Sequence, residues 1–408
     1  MSRSTTGTSI AALVRKAELR RERLLLAIAA PAIAFVLVFF VLPIGLFLFR
    51  SVDNPEVHAS LPRTLTALHQ WDRTTVPDEQ AFAALVADLR ALRGKPDLAM
   101  LARRLNYDVS GFRSVIIRSG RLADQGSPPY RKWLIANEPA WGDVTYWGAI
   151  RNEASPLTDF YLLAAFDLRR LSNGSIAPVS KESALFRDLF ARTFWISFTV
   201  TVLCLIVGFP VAAVIAHARP KVANLLLILV LLPFWSSLLV RATAWIVLLQ
   251  DEGLVNQALI ALGLIARPIR LVFNRIGLTI AMTHVLLPFM ILPLYSVLRG
   301  IPQGQMRAAA SLGAKPVIAF LRVYLPQALP GIVAGSTLVF VISLGYYVAP
   351  ALVGGPRDQM IGYFVAYFTN STVNWGMASA LGTLLLVIVA LIYAALARTI
   401  GLERLRAQ

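Results

Sequence analysis

The sequence predicts an all-α polytopic membrane protein with six transmembrane helices and one large, mostly helical insert between the first two of them. Three observations lead to this prediction. Hydrophobic residues make up 57% of the 408 residues, and charged residues make up only 15%. The apolar residues gather in blocks of about 20 or more, the length that crosses a hydrocarbon core of roughly 30 Å. One long polar segment, residues 51–187, separates the first apolar block from the others.

The first apolar block follows a basic tail. Residues 1–23 contain six Lys and Arg and two Glu, whereas residues 24–49 contain no charged residue. A block of about 26 residues is too long for the apolar region of a signal peptide, which has roughly 7–15 residues. We therefore predict an uncleaved first transmembrane helix over residues 24–49 and a cytoplasmic tail over residues 1–23.

The polar segment 51–187 has the composition of a soluble protein. Amphipathic patterns in residues 78–93 and 96–107 predict helices. The most apolar piece, residues 160–166, is far too short to span a membrane, so we expect it to pack as a helix or to lie at the membrane interface. The segment is predicted to be a small extracytoplasmic domain, and we hypothesise that it contacts an external partner or caps the transmembrane bundle.

Five further apolar blocks follow the insert. Short segments on the side of the N-terminal tail contain 15 Lys and Arg, whereas those on the opposite side contain four. Because cytoplasmic loops are enriched in Lys and Arg, the tail side is predicted to be cytoplasmic, together with the C-terminal residues 398–408. The predicted spans cover residues 194–216, 223–249, 276–298, 328–353 and 377–397.

Composition and missing motifs exclude several classes of protein. The net charge of +17 does not indicate a nucleic-acid partner, because a polytopic membrane protein with basic cytoplasmic loops has the same kind of excess of Lys and Arg. The sequence contains no G-x-x-x-x-G-K-[ST] phosphate loop and no H-E-x-x-H zinc helix. The single Cys204 allows no intrachain disulfide, and His58 and His69 have no neighbouring metal ligands. We expect no metal, no cofactor and no catalysis on this chain.

Arg241 is the informative polar residue within the predicted spans. A central arginine costs roughly 2.5–3.5 kcal/mol in a membrane helix, so it is expected to face the bundle interior or a wet cavity. It lines a solute pathway or gate, pairs with another helix, or extends to the outer interface, because the third predicted span runs outward and Arg241 lies past its middle. His284, in the fourth span, either hydrogen-bonds in a pathway or packs as a satisfied side chain. The outer ends of spans carry acidic residues that attract a cationic solute, contact a partner or stay solvated: Asp251, Glu252 and Asp358.

The cytoplasmic loop 299–327 contains a polar stretch rich in small residues, residues 305–326. This stretch predicts two short helices. The first covers residues 305–312 and ends before Gly313, since glycine readily takes the left-handed conformation just beyond a helix end. The second begins at Pro316, because a proline suits the first turn of a helix, and ends at Pro326. One flat side of the first helix carries Ala308, Ala309 and Leu312.

The pattern R-A-A-x-x-x-G followed by V-Y-L-P resembles the EAA loop of the membrane subunits of binding-protein-dependent ABC importers. The matching positions are Ala308, Ala309, Gly313, Leu325 and Pro326. Arg307 stands where the family usually has Glu, and Val323 stands where it usually has Ile. The first difference reverses a charge. A salt bridge that the family makes from this position to the ATPase subunit of the importer is therefore not expected in this chain.

Three further segments resemble the spermidine/putrescine branch of this family. They are L-V-R-A-T-A-W at 239–245, L-L-P-F-M-I-L-P-L-Y at 286–295 and L-G-Y-Y-V-A-P-A-L-V-G-G-P at 344–356. The resemblance implies the type I ABC importer permease fold, with a core over residues 190–397, in the inner membrane of a bacterial cell. The candidate solute pathway then contains Arg241, Trp245, His284 and Tyr346.

The resemblance also implies partners. Such importers combine a second permease subunit, here expected to form a heterodimer, with two cytoplasmic ATPases that bind ATP and Mg and an external solute-binding protein. Helix 305–312 is then the coupling helix, seated in a groove of an ATPase. Polyamines, opine-like compounds and other small organic solutes fit this sequence equally. The alternative is a secondary transporter that works without an ATPase, although no acidic residue lies in the predicted spans to relay protons.

Overall fold

A computed structural model of the chain describes residues 5–406. Residues 1–4 of the predicted N-terminal tail and residues 407–408 of the C-terminal tail lie outside the described residues. Five helices of the described part are long and apolar enough to cross a membrane, and one sharply bent helix pair makes a sixth if it counts as one span. The predicted helical, polytopic fold is therefore confirmed, with five candidate spans, and the bent pair is counted here as a sixth, broken one.

The spans are numbered here in chain order. Span 1 covers Ala27–Phe49, at the end of a helix that begins at Thr5, and span 6 covers Trp375–Ala395, in a helix that continues to Arg406. Span 3 is the bent pair Pro220–Trp235 and Leu238–Ala261. The remaining spans are span 2 (Phe186–His217), span 4 (Arg275–Arg299) and span 5 (Pro316–Leu344).

The centre of the membrane region is the packing of spans 2, 4 and 5. Cys204 of span 2 and Met290 and Leu294 of span 4 are fully buried there. Gly335 lets span 5 approach closely, since a Cβ at that position would lie 2.8 Å from the sulfur of Met290. Span 1, in contrast, has no buried residue, and its C-terminal end packs on span 6. Spans 2, 4 and 5 are therefore held together by apolar packing and by small residues that let the helices approach.

The third predicted span is not one continuous helix, so that prediction is wrong. The chain forms a helix over Pro220–Leu231 and a 3-10 turn over Leu232–Trp235 before it bends by 97° into the helices Leu238–Leu249 and Leu254–Ala261. Pro233 cannot donate a helix hydrogen bond, and the Ser237 side chain accepts from the backbone N–H of Val240 and starts a new helix. Apolar composition alone does not reveal such a break.

Span 5 also differs from its prediction at both ends. It ends at Leu344, before Gly345, and a separate short helix follows at Val348–Leu352. At the other end, Pro326 does not terminate a helix. The chain passes from Pro316–Ala319 through a π-helical turn at Phe320–Tyr324 directly into Leu325–Leu344.

The π-helical turn explains how the helix continues past Pro326. A proline ring in a regular helix clashes with the carbonyl four residues earlier. In the turn, the backbone N–H of Leu325 bonds to the carbonyl of Phe320, five residues earlier, so the helix widens immediately before the proline. Span 1 repeats this arrangement, with a π-helical turn at Leu37–Val41 shortly before Pro43.

The insert is mostly helical, as predicted, and has its own aromatic core. Phe82, Phe112, Trp141 and Trp147 are fully buried. The indole N–H of Trp141 donates to Ser119 and that of Trp147 donates to the carbonyl of Trp141, so the polar ends of both rings are satisfied. Its helices are Pro55–Ser60, Pro62–Ala67, Glu79–Leu92, Pro96–Asp108, Phe112–Leu122, Tyr130–Asn137, Val144–Asn152 and Phe160–Ala165.

One antiparallel hairpin completes the insert, with strands Leu168–Arg170 and Ile176–Pro178 and Arg169 opposite Ala177. The apolar piece predicted at 160–166 forms the helix Phe160–Ala165, which packs against span 6. The Ser379 hydroxyl of span 6 donates to the carbonyls of Phe47 and Leu48 at the end of span 1. The insert therefore forms one packed unit with the C-terminal end of span 1 and the N-terminal end of span 6.

A buried ion network ties the insert together. Arg104 is 2% exposed and lies 2.6 Å from Asp108 and 2.7 Å from Glu153. Its guanidinium also stacks over the ring of Phe160, 4.5 Å from the ring centre. Burial and the nearby negative charge of Glu153 raise the pKa of Asp108 to about 7, because the single guanidinium of Arg104 has to balance the charge of both carboxylates.

Arg104→Met is expected to lower the free energy of unfolding of the insert by about 3–5 kcal/mol, because two buried carboxylates lose their counter-charge. Resistance of the insert to limited proteolysis in the purified protein measures the effect. Arg63→Met is the matched control, since Arg63 is exposed. Equal protease resistance of the two variants would contradict a structural role for the network.

Candidate functional site

The loop that resembles a coupling segment forms the helix Gln303–Ser311. Gly313 follows with a φ of +83°, the left-handed conformation predicted for it, and the next helix begins at Pro316. The helix lies two residues earlier than predicted at its N-terminus and ends at Ser311 instead of Leu312. Arg307 and Ala308 are exposed, Ala309 is half-buried, and Arg307 forms no ion pair within residues 5–406.

The loop exposes an unusual amount of apolar surface. Leu312 is 89% exposed and Val317 is 67% exposed, and both follow the helix Gln303–Ser311. Ile318 and Leu321 extend this surface into the start of span 5. Leu325 is half-buried and Pro326 is exposed. Exposed aliphatic side chains grouped in this way are typical of a surface that another protein covers.

The four residues predicted to line a solute pathway come from three separate elements, and the structure gathers them. The indole N–H of Trp245 donates to Nδ1 of His284 at 3.2 Å, with the two ring centres 5.4 Å apart. Arg241 lies near enough for its charge to act on both His284 and Tyr346. Arg241 and Trp245 lie on the helix after the break in span 3, and Tyr346 follows the end of span 5.

Two side chains of this group have unused hydrogen-bonding capacity. Nε and Nη1 of Arg241 and the hydroxyl of Tyr346 are buried and have no partner within the described residues. Arg241 lies in the first turn of Leu238–Leu249, directly after the 97° bend, and not beyond the middle of a straight span as predicted. The break therefore sets where this guanidinium lies. A hydrogen-bond acceptor from outside the chain would satisfy both groups.

Sequence reasoning missed two neighbouring polar groups and one ion pair. The Thr283 and Ser343 hydroxyls are buried and have no hydrogen-bond partner in the part of the chain that the structure describes. Thr283 adjoins His284, and Ser343 precedes Tyr346 by three positions. The signal that the sequence offered for these two residues was a polar side chain inside an apolar span. Arg275 pairs with Asp358 at 2.9 Å, so Asp358 holds the segment before helix Ile361–Asn370 to span 4. No sequence pattern connects these two residues, because 83 positions separate them.

Across residues 5–406, no group of three or more His, Cys, Asp and Glu side chains is arranged to hold a metal ion. The groups gathered around Arg241 are hydrogen-bond donors and aromatic rings. Such a set can bind and orient a polar solute, and it contains no paired carboxylates or activated nucleophile for catalysis.

Comparison with known proteins identifies the class. Residues 205–402 match the family model described as binding-protein-dependent transport system inner membrane component. The chain belongs to this family, the permease subunits of ABC importers, and is a non-catalytic, multi-pass subunit of the inner membrane. The match begins within span 2, so span 1 and the insert lie outside it.

Several relatives share this core. The chain is 36% identical over 237 residues to the spermidine/putrescine transport system permease protein PotB of Haemophilus influenzae, covering 57% of this chain and 83% of the relative. It is 31% identical over 207 residues to PotB of Escherichia coli, covering 51% and 75%. It is also 31% identical to the inner membrane ABC transporter permease protein YdcU of Escherichia coli, covering 66% and 88%.

Among solved structures, a bacterial ABC transporter that imports the acidic polysaccharide alginate matches with a TM-score of 0.40 and 21% identity. The match covers 53% of this chain and 79% of that one.

Proposed function

We propose that this permease subunit serves an importer of small organic solutes, with polyamine-like or opine-like compounds as the candidate class. The names of the PotB relatives, at 31% to 36% identity, support a polyamine. The cluster of Arg241, Trp245, His284 and Tyr346 is the proposed solute pathway, because it combines unused donors with aromatic surface inside the membrane region.

ATP hydrolysis is proposed to take place on two separate cytoplasmic ATPase subunits, which bind ATP and Mg. The observation that carries this proposal is the exposed apolar surface of the loop, above all Leu312 at 89% exposure. A short helix beside exposed aliphatic side chains fits a groove in a partner protein. Arg307 has no partner in the described chain, so it is available to pair with a carboxylate of the ATPase.

Two further partners complete the proposed importer. A second permease subunit forms a heterodimer with this chain, and an external solute-binding protein delivers the solute. The insert at 51–187 lies outside the family match and contacts this binding protein or caps the bundle. The excess of Lys and Arg on the tail side supports cytoplasmic termini.

Leu312→Asp tests the ATPase partnership. We expect the amount of ATPase that copurifies with the permease to fall at least about tenfold, because an unpaired carboxylate in an apolar contact costs well over about 1.4 kcal/mol. Leu264→Asp is the matched control, since Leu264 is 68% exposed in the segment predicted to lie outside. If no ATPase copurifies with the unchanged protein and solute uptake persists without ATP, the secondary-transporter alternative replaces this proposal.

A further inference from the structure

A large cavity lies where the insert meets the outer ends of spans 1 and 6. Its volume is 830 Å³. Its walls come from the end of span 1, from the helices Pro55–Ser60 and Pro96–Asp108 of the insert, and from the turn that precedes span 6. The cavity is separate from the cluster around Arg241, which shares none of its lining residues.

Three arginines and three carboxylates line this cavity: Arg50, Arg103 and Arg104, and Asp53, Glu56 and Asp97. Arg50 is paired with Asp53 at 2.9 Å, and Arg104 is neutralised by Asp108 and Glu153 behind the cavity wall. The lining charges left without an ion pair among the described residues are therefore two carboxylates, Glu56 and Asp97, and one arginine, Arg103, a balance that favours a cation.

Two of these carboxylates are available to a ligand. Glu56 and Asp97 form no ion pair and accept no side-chain hydrogen bond in the part of the chain that the structure describes. They come from different helices and line the same cavity. Glu56 lies near enough for its charge to act on the phenols of Tyr107 and Tyr161.

Aromatic side chains provide the second feature of the site. Tyr107, Tyr161 and Trp375 line the cavity beside the free carboxylates. Tyr161 is 95% buried, yet it still lines the cavity, and its hydroxyl has no hydrogen-bond partner within residues 5–406. Its ring fits against the backbone of Gly376, where any side chain would collide with it. A buried tyrosine held in place with an unused hydroxyl indicates a position where a ligand supplies the partner.

We propose that this cavity binds a primary ammonium group, with Glu56, Asp97 and the Tyr161 hydroxyl accepting its hydrogen bonds and the rings of Tyr107 and Trp375 beside its charge, since the Tyr161 ring already has Arg104 over it. A primary ammonium has three N–H donors, which two carboxylates and a phenol oxygen can accept together. Aromatic faces attract organic cations. The ammonium belongs either to a free diamine or polyamine or to the headgroup of phosphatidylethanolamine in the outer leaflet.

The position of the cavity makes both sources reachable. It lies at the ends of two membrane spans, which the proposed topology places beside the outer lipid headgroups, and the exposed Arg103 on its wall offers a partner for a lipid phosphate. It also lies under an insert that the proposed function places outside the membrane, where a soluble amine arrives. Binding at this site does not require that the chain import a polyamine.

The test uses the purified full-length protein with its partner subunits and without solute-binding protein. In nanodiscs of phosphatidylcholine, whose headgroup has no N–H donor, [¹⁴C]putrescine binding is measured by equilibrium dialysis. In nanodiscs of mixed phosphatidylcholine and phosphatidylethanolamine, native mass spectrometry measures which lipid is retained. We expect putrescine binding or selective retention of phosphatidylethanolamine, weakened at least about tenfold in the double variant Glu56→Gln, Asp97→Asn.

The double variant Asp143→Asn, Glu182→Gln is the matched control, since both residues are exposed elsewhere in the insert. Putrescine binding in phosphatidylcholine identifies a free-amine site, and retention of phosphatidylethanolamine alone identifies a headgroup site. The proposal is overturned if neither ligand is bound, or if both double variants bind alike. ATP-driven uptake with the binding protein is measured separately, so a failure of the ammonium site is distinguishable from a failure of the proposed import function.

Discussion

Gly313→Pro is expected to abolish most of the stimulation of ATP hydrolysis by the solute-binding protein in the reconstituted importer. Gly313 has a φ of +83°, and proline holds φ near about −65°, so the turn between the helix Gln303–Ser311 and span 5 cannot form. The coupling free energy between two sites is typically about 1–3 kcal/mol, so its loss reduces the stimulation about 5- to 150-fold. ATPase assays with and without binding protein measure this effect.

Gly304→Ala is the control for Gly313→Pro. Gly304 lies in the helix Gln303–Ser311 without a positive φ, and a Cβ there meets nothing within 4 Å. Alanine at this position is expected to leave stimulation unchanged, since it favours a helix by about 1 kcal/mol over glycine. The complex of Gly313→Pro must still assemble for the comparison to hold. Unchanged stimulation in an assembled Gly313→Pro complex would remove the loop from the coupling mechanism.

Arg241→Met is expected to reduce solute uptake at least about tenfold, equivalent to about 1.4 kcal/mol in the barrier to passage. The guanidinium has two buried nitrogens with no partner among the described residues, so the chain itself loses no hydrogen bond in this variant. Methionine keeps the apolar stem and the packing. Uptake is therefore expected to fall while the amount of assembled complex stays the same.

Two other variants separate the possible roles of Arg241. Arg241→Lys keeps the charge but loses the planar fork, so restored uptake would indicate that charge alone is needed. Arg267→Met, at an exposed position of the segment 250–275, is the matched control. If Arg241→Met instead prevents assembly of the complex and leaves no transporter to assay, the arginine pairs with another subunit and is not part of the pathway.

Local sequence patterns predicted those parts of the molecule that depend on neighbouring residues. The left-handed Gly313 and the helix start at Pro316 follow from the backbone preferences of single residues, and both are present. The end predicted at Pro326 is wrong, since a π-helical turn accommodates that proline. Whether a proline ends a helix depends on how the preceding turn adjusts, and sequence spacing does not contain this information.

The membrane spans also have some features that local sequence predicts and others that it does not. Five of the six predicted spans are found as helices long and apolar enough to cross a membrane, because a fixed bilayer thickness requires such lengths. The 97° break in span 3 does not follow from the sequence pattern, since both halves are apolar. It lies where Pro233 ends one helix and the Ser237 side chain caps the next. For this reason Arg241 was predicted beyond the middle of a straight helix and instead occupies the first turn after a bend.

The sequence by itself determined that this is a helical membrane protein of a permease family, because the span lengths, the charge bias of the loops and the short family motifs are all local features. Only the tertiary structure decided which distant residues meet: Trp245 with His284, Arg275 with Asp358, and the buried Arg104 with Glu153. These contacts join elements far apart in the chain. They are set by how whole helices pack, and no local pattern records that packing.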